Sequence, residues 1–324
     1  MFADLEVVSG RCTLTYMNGA FFIAVNFLLS VVGSVGNILV CLTVLLTPNL
    51  RVVSSFCIVN LAQADLMVTM VAQPLAISIF VGKLDGTCYV RAEYAARFIG
   101  NLSCAVSVLT LATMSFERCF VILKPMKYKA TITPRFLKSI LGFNWLLAWI
   151  VPFLDAFVED KLVYIYFILI GMTVLYSVVI VCYSVIFITV RKRNVLRQRE
   201  LQDHQAASGG EKDKKLAITI ALVIGFFTIC WASFGFHVAT NPQKNYGVSY
   251  IATVTASFAN SAINPIIYFY RNRGYRDALR KILCTRCRRN VVTPLAPLQN
   301  ISGNSTPANM KRVVLSEVIC NRCI

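Results

Sequence analysis

The stretch "MSFERCFVILKPMKY", Met114 to Tyr128, closes an apolar run that begins near Leu102 with an adjacent acid and base, Glu117 and Arg118. Charges in such surroundings are costly, so this pair marks the residues as functional candidates. Other polar groups also sit inside apolar stretches. They are Asn37 in "GSVGNILV", Asp65 in "NLAQAD", and Asn260, Ser261 and Asn264 in "NSAINPIIY". Pro265 in the last of these frees a backbone carbonyl and weakens its helix locally. Together they make a buried polar pocket around the Asp65 carboxylate. No nucleophile and base, and no metal-ligand cluster, fall on one inward face, so the chain does not read as an enzyme and no cofactor is expected.

The elements that hold these residues are membrane spans. The chain has 324 residues, 57% hydrophobic and 15% charged, too apolar for a soluble domain. Runs of about 20 apolar residues lie near 20–46, 53–80, 92–122, 138–157, 162–190, 215–239 and 247–270. An odd number of crossings places the termini on opposite sides. Of the 32 Lys and Arg, 26 fall on the side of the carboxyl terminus, which makes that side cytoplasmic and puts the amino terminus outside. The net charge of +17 then marks topology and affinity for anionic lipid, not a nucleic-acid partner. Asp4 and Glu6 occupy the region that a cleavable signal peptide would make basic and then apolar, so the first span is expected to serve as an uncleaved signal.

The fold expected is an all-α membrane protein, a seven-helix bundle over 20–270 with an outer segment of residues 1–19. "FYRNRGYRDALRKILC" alternates apolar with basic residues, as a helix lying on the inner leaflet over 271–284 would. The tail 285–324 has the composition of a disordered segment. The outer loop around "VEDK", Val158 to Lys161, is minimal, and "RKRNVLRQRE" is expected to prolong span five into the cytoplasm.

Helical spacing aligns Arg97, Gly100, Cys104, Ser107, Leu111, Met114 and Arg118 on one face of span three. It aligns Asp213, Ile224, Phe227, Trp231 and Phe234 on one face of span six, with Asp213 level with Arg118. An Arg118–Asp213 pair would tie these two spans together at the inner surface.

These residues, in this order, resemble a rhodopsin-like (class A) G-protein-coupled receptor. The matching motifs are Gly36-Asn37, "LAQAD" ending at Asp65, "ERC" at Glu117 to Cys119 followed by Pro125, Trp145, "FTICW" ending at Trp231, and "NPIIY" from Asn264 to Tyr268. The resemblance implies a plasma-membrane receptor that passes an extracellular signal to a heterotrimeric G protein, with arrestin and receptor kinases as further partners. By it, Arg118 is held at rest by Glu117 and Asp213 and is released when span six swings outward. Arg118, Tyr183 and Tyr268 then line the cavity for the G protein. Pro125 ends span three and presents Met126, and Pro265 belongs to the same switch. Asp65, Ser107, Asn260 and Asn264 match the family's sodium site, although a hydrogen-bonded network with water and no ion is the alternative. Trp231 matches the residue whose shift reports ligand binding. Arg97, Gly100, Asn101, Phe234, His237, Tyr250, Ser257 and Phe258 line the ligand pocket if the family's geometry holds. Arg97 could face an acidic ligand group, snorkel to headgroups, or pair with Glu93 one turn away.

Several departures bear on ligand and efficiency. Ser233 stands where a proline usually follows the tryptophan of span six, and Leu175 replaces the usual proline of span five. Gly100 stands where amine receptors carry an aspartate, and Phe258 where opsins carry a lysine. The helix-three cysteine of the usual outer disulfide is replaced by Glu93; Cys12 and Cys88 suggest a different bridge, with free thiols or pairing in trans as alternatives. Cys284 and Cys287 suit palmitoylation; with Cys320 and Cys323 they also form two C-x-x-C pairs of zinc-binding spacing. "VNLAQADLMV" and the missing helix-three carboxylate loosely resemble melatonin receptors, whereas the short second outer loop and the absent helix-five proline resemble melanocortin receptors. The competing functions are a non-signalling decoy of the same fold and a transporter, the latter weakened by the lack of internal repeats or a continuous polar path.

Overall fold

The computed structural model describes residues 14–199, 207–240 and 247–283. Cys12, Cys284, Cys287 and the tail 285–324 lie outside these residues. The bundle helices are α1 (Tyr16–Leu46), α2 (Val53–Leu84), α3 (Val90–Leu123), α4 (Pro134–Phe157), α5 (Lys161–Arg199), α6 (Ala207–Thr240) and α7 (Val248–Arg271). A shorter helix, α8 (Arg273–Leu283), follows. A helix lies at each of the seven expected apolar runs. Helix α5 runs well past its apolar section, and only three residues separate α4 from α5.

Prolines set several of the local breaks. Helix α3 ends at Leu123 because Lys124, which precedes Pro125, is non-helical at φ −133°, and a separate short helical turn of seven residues, Pro125–Thr131, begins at the proline. Pro134 opens α4 at a position where its missing N–H costs nothing, and the Thr133 hydroxyl accepts from the Phe136 amide at 3.2 Å. Within α2 the backbone widens to a π-turn over Val68–Ala72, just before Pro74, which cannot donate to the carbonyl of Met70. The turn at Trp149 within α4 stands in the same relation to Pro152.

Helix α1 packs on α2 and α7, α3 on α2 and α5, and α6 on α7. Two of these contacts follow from short motifs. Pro265 cannot bond the carbonyl of Ser261, and the Asn37 side chain of α1 donates to that oxygen at 2.9 Å. Beside it, a Cβ on Gly36 would stand 2.8 Å from Cβ of Pro265, so the close approach of α1 and α7 requires glycine there. On the other side, Trp145 of α4 donates from Nε1 to Asn60 Oδ1 at 2.9 Å, and Asn60 donates to Thr110 Oγ1 of α3 at 2.8 Å.

The core between the helices is built from Val40, Leu61, Val106, Val223, Phe227 and Tyr268. Phe143, Leu146, Phe153, Ile170, Ile180 and Phe187 point outward, where only lipid can cover them. Among the described residues five helices, α1 to α5, are long and apolar enough by themselves to cross a bilayer, and α6 adds the apolar segment Ala221–His237. Helix α7 carries Asn260, Ser261 and Asn264 on its buried side, which lowers its hydropathy without exposing those groups to lipid.

Candidate functional site

At the inner end of α3, Glu117 and Arg118 are both buried and directly paired. The guanidinium engages the carboxylate through Nε and Nη2, each at 2.5 Å. Ser54 at the start of α2 donates to Glu117 Oε1 at 2.9 Å and also contacts the guanidinium. Tyr128, from the turn after Pro125, donates its hydroxyl to the same Oε1. Burial first, and then the adjacent carboxylate, hold the Tyr128 phenol well above its ordinary range, so it remains a proton donor at physiological pH. Two donors that the sequence did not single out, Ser54 and Tyr128, thus complete the clamp. Asp213 lies in α6, and its side chain is outside the described residues.

The rest of the inner face is poised around this clamp. Met126 is 89% exposed immediately beyond Pro125. Tyr183 of α5 sits against Ser115 of α3 and within electrostatic reach of Arg118. The Tyr268 ring is fully buried, and its hydroxyl has no hydrogen-bond partner among the described residues.

At mid-depth, Asn264 Nδ2 donates to Asp65 Oδ2 at 2.9 Å, joining α7 to α2. The other carboxylate oxygen, Oδ1, and the amide oxygens of Asn260 and Asn264 are buried without partners. The Ser261 hydroxyl also bonds the carboxylate, and the remaining buried oxygens are the type of ligand that a small cation or water takes. Ser107 is buried on α3, and Ser261 lies beside the carboxylate. These residues therefore fit a sodium ion held by oxygen.

The pocket residues fall into two groups. On the α6–α7 side, Trp231 stacks on Phe227 at 5.9 Å and meets Phe234 edge-on at 5.8 Å, and Phe234 and His237 both pack on Tyr250. Ser257 reaches the Cys230 carbonyl at 3.4 Å, and Ser233 donates to that same oxygen at 2.7 Å. Phe258 lies opposite Gly100, whose added Cβ would stand 3.6 Å from the ring. On the other side, Arg97 does not pair with Glu93. Glu93 binds Lys83 at 3.3 Å, and Arg97 Nε binds Asp155 Oδ2 of α4 at 3.1 Å. Asn101 donates to this oxygen at 3.3 Å. Asp155 was missed because the acids of "VEDK" follow it within five residues, so it reads as the edge of a charged loop, and its partners Arg97 and Asn101 come from another helix. Cys88, just before α3, is disulfide-bonded.

Residues 36–162 and 156–268 match the family described as 7 transmembrane receptor (rhodopsin family). The chain is 28% identical to adenosine receptor A2a of Homo sapiens over 316 residues, covering 82% of this chain and 73% of that protein. Against adenosine receptor A2b of Mus musculus it is 27% identical over 305 residues, covering 82% and 90%. With adenosine receptor A2b of Gallus gallus the identity is 26%.

Proposed function

Since the chain belongs to the rhodopsin family of seven-transmembrane receptors, a family of receptors and not enzymes, we propose that an extracellular ligand bound among the outer ends of α3 to α7 triggers it to activate a heterotrimeric G protein at the inner end. The observation that carries this reading is the buried Glu117–Arg118 pair, sealed by Ser54 and Tyr128 and set beside exposed Met126 and the unpartnered Tyr268 hydroxyl. Breaking a buried ion pair costs about 3–5 kcal/mol unless new partners replace it, so the pair resists spontaneous release and needs a docking partner to complete it. Asp213 contributes a second carboxylate to Arg118 at rest. Na+ held by Asp65, Ser107, Asn260 and Asn264 favours that state.

The amino terminus faces outward, Cys12 and Cys88 pin it to the top of α3, and palmitate on Cys284 and Cys287 anchors the end of α8. Arrestin and receptor kinases would meet the same inner face. Adenosine, for which the relatives are named, is the first ligand to apply. The test is basal and ligand-stimulated activation across all G-protein classes, comparing the native chain with Arg118→Ala and Asp213→Ala at equal surface expression. Asp213→Ala should raise basal signalling and Arg118→Ala should lower it. If neither moves any pathway while a ligand still binds, the missing prolines at Ser233 and Leu175 are disabling, and the chain is a decoy.

A further inference from the structure

The Arg97–Asp155 pair lies at the outer end of α3 and α4, on the side of the pocket away from the aromatic row. Tyr164 of α5 lies within electrostatic reach of both Arg97 and Asp155, and of Cys104 deeper in α3, so the pair borders the interior between α3, α4 and α5. The Asp155 oxygen takes two donors from α3, Arg97 Nε at 3.1 Å and Asn101 Nδ2 at 3.3 Å. The Arg97 guanidinium also lies over the Tyr94 ring at 5.1 Å, which fixes its plane. The two side chains are unequally exposed: Arg97 is 38% accessible and Asp155 only 13%.

We propose that Asp155 sets the charge class of the ligand: by neutralising Arg97 internally it makes this wall of the pocket accept an uncharged, hydrogen-bonding molecule and reject carboxylates and phosphates. The inference rests on the reading of the outer bundle as the ligand site. Without Asp155, an arginine at the pocket wall would select acids. With it, an acidic ligand must compete for Arg97 with a carboxylate already in place and held by Asn101 as well. An uncharged ligand disturbs neither partner and can use the arginine donors that Asp155 does not occupy.

The experiment uses the full chain, solubilised, with benzoate and its uncharged analogue benzamide as probes and thermal stability as the readout. Benzoate should stabilise the native chain no more than it stabilises Arg97→Gln. Asp155→Asn should gain a benzoate-dependent rise in melting temperature, with apparent affinity at least about tenfold tighter than native, and this gain should vanish in Arg97→Gln/Asp155→Asn. Benzamide should not separate the variants. A benzoate response of the native chain that depends on Arg97 would overturn the proposal, as would Asp155→Asn that folds but gains no benzoate response. If Asp155→Asn does not fold, the comparison of native with Arg97→Gln still decides. No G protein enters this readout, so a chain that passes here yet activates no G protein would sink the receptor reading alone.

Discussion

Glu117 is held by three neighbours, Arg118, Ser54 and Tyr128, which arrive from three separate segments of chain. Hydrogen bonds to a charged group contribute about 1.5–3 kcal/mol each, so removing one should bias the equilibrium between resting and active forms without unfolding the helix. Tyr128→Phe is expected to raise basal G-protein activation severalfold at unchanged surface expression, measured in a nucleotide-exchange assay on membranes; unchanged basal activity would show that the hydroxyl is not part of the restraint. At mid-depth the orphaned oxygens of Asp65, Asn260 and Asn264 make a similarly local claim. The melting temperature of the solubilised chain should rise when Na+ replaces an organic cation at equal ionic strength. Asp65→Asn should abolish that difference. A rise that persists in Asp65→Asn would place the ion elsewhere.

Contacts between whole helices are set by a few small or polar residues. Gly36 lets α1 lie against Pro265, and Asn37 satisfies the carbonyl that the proline leaves open. Gly36→Leu would force α1 and α7 apart. Overpacking of this kind costs about 1–3 kcal/mol, expected as a lower melting temperature and reduced surface expression, with no change in topology. Such helix pairs were visible in the sequence only as motifs. The "GN" of α1 was legible as a family motif with a buried amide and the "NP" of α7 as a freed carbonyl, yet neither pattern indicated that one supplies the donor the other lacks. Likewise Trp145 stood out by type, whereas its bond to Asn60 needed α2, α3 and α4 side by side.

For the molecule as a whole, the proposed signalling requires α6 to couple the aromatic row near Trp231 to the clamp at Arg118. That helix lacks the usual proline. Instead Ser233 donates to the Cys230 carbonyl at 2.7 Å, with the Ser257 hydroxyl 3.4 Å away but bonded to Thr253, and serine bonding back to a carbonyl weakens a helix less than proline does. Ser233→Pro is therefore expected to increase the outward swing of α6 and to enlarge the ligand-stimulated response, read as spin-label separation between the inner ends of α3 and α6. An unchanged separation would mean that Ser233 already provides the hinge. The amino-acid sequence alone determined the seven helices of the bundle and their inward faces, because these depend on local hydropathy and on a fixed helical period. Only the tertiary structure decided that Arg97 belongs to Asp155, that Tyr128 closes over Glu117, and that Asn37 completes the Ser261 carbonyl. Those pairings depend on which helices are neighbours, at what depth and in what rotation. Close packing at points such as Gly36 against Pro265 fixes these, and no local pattern encodes them.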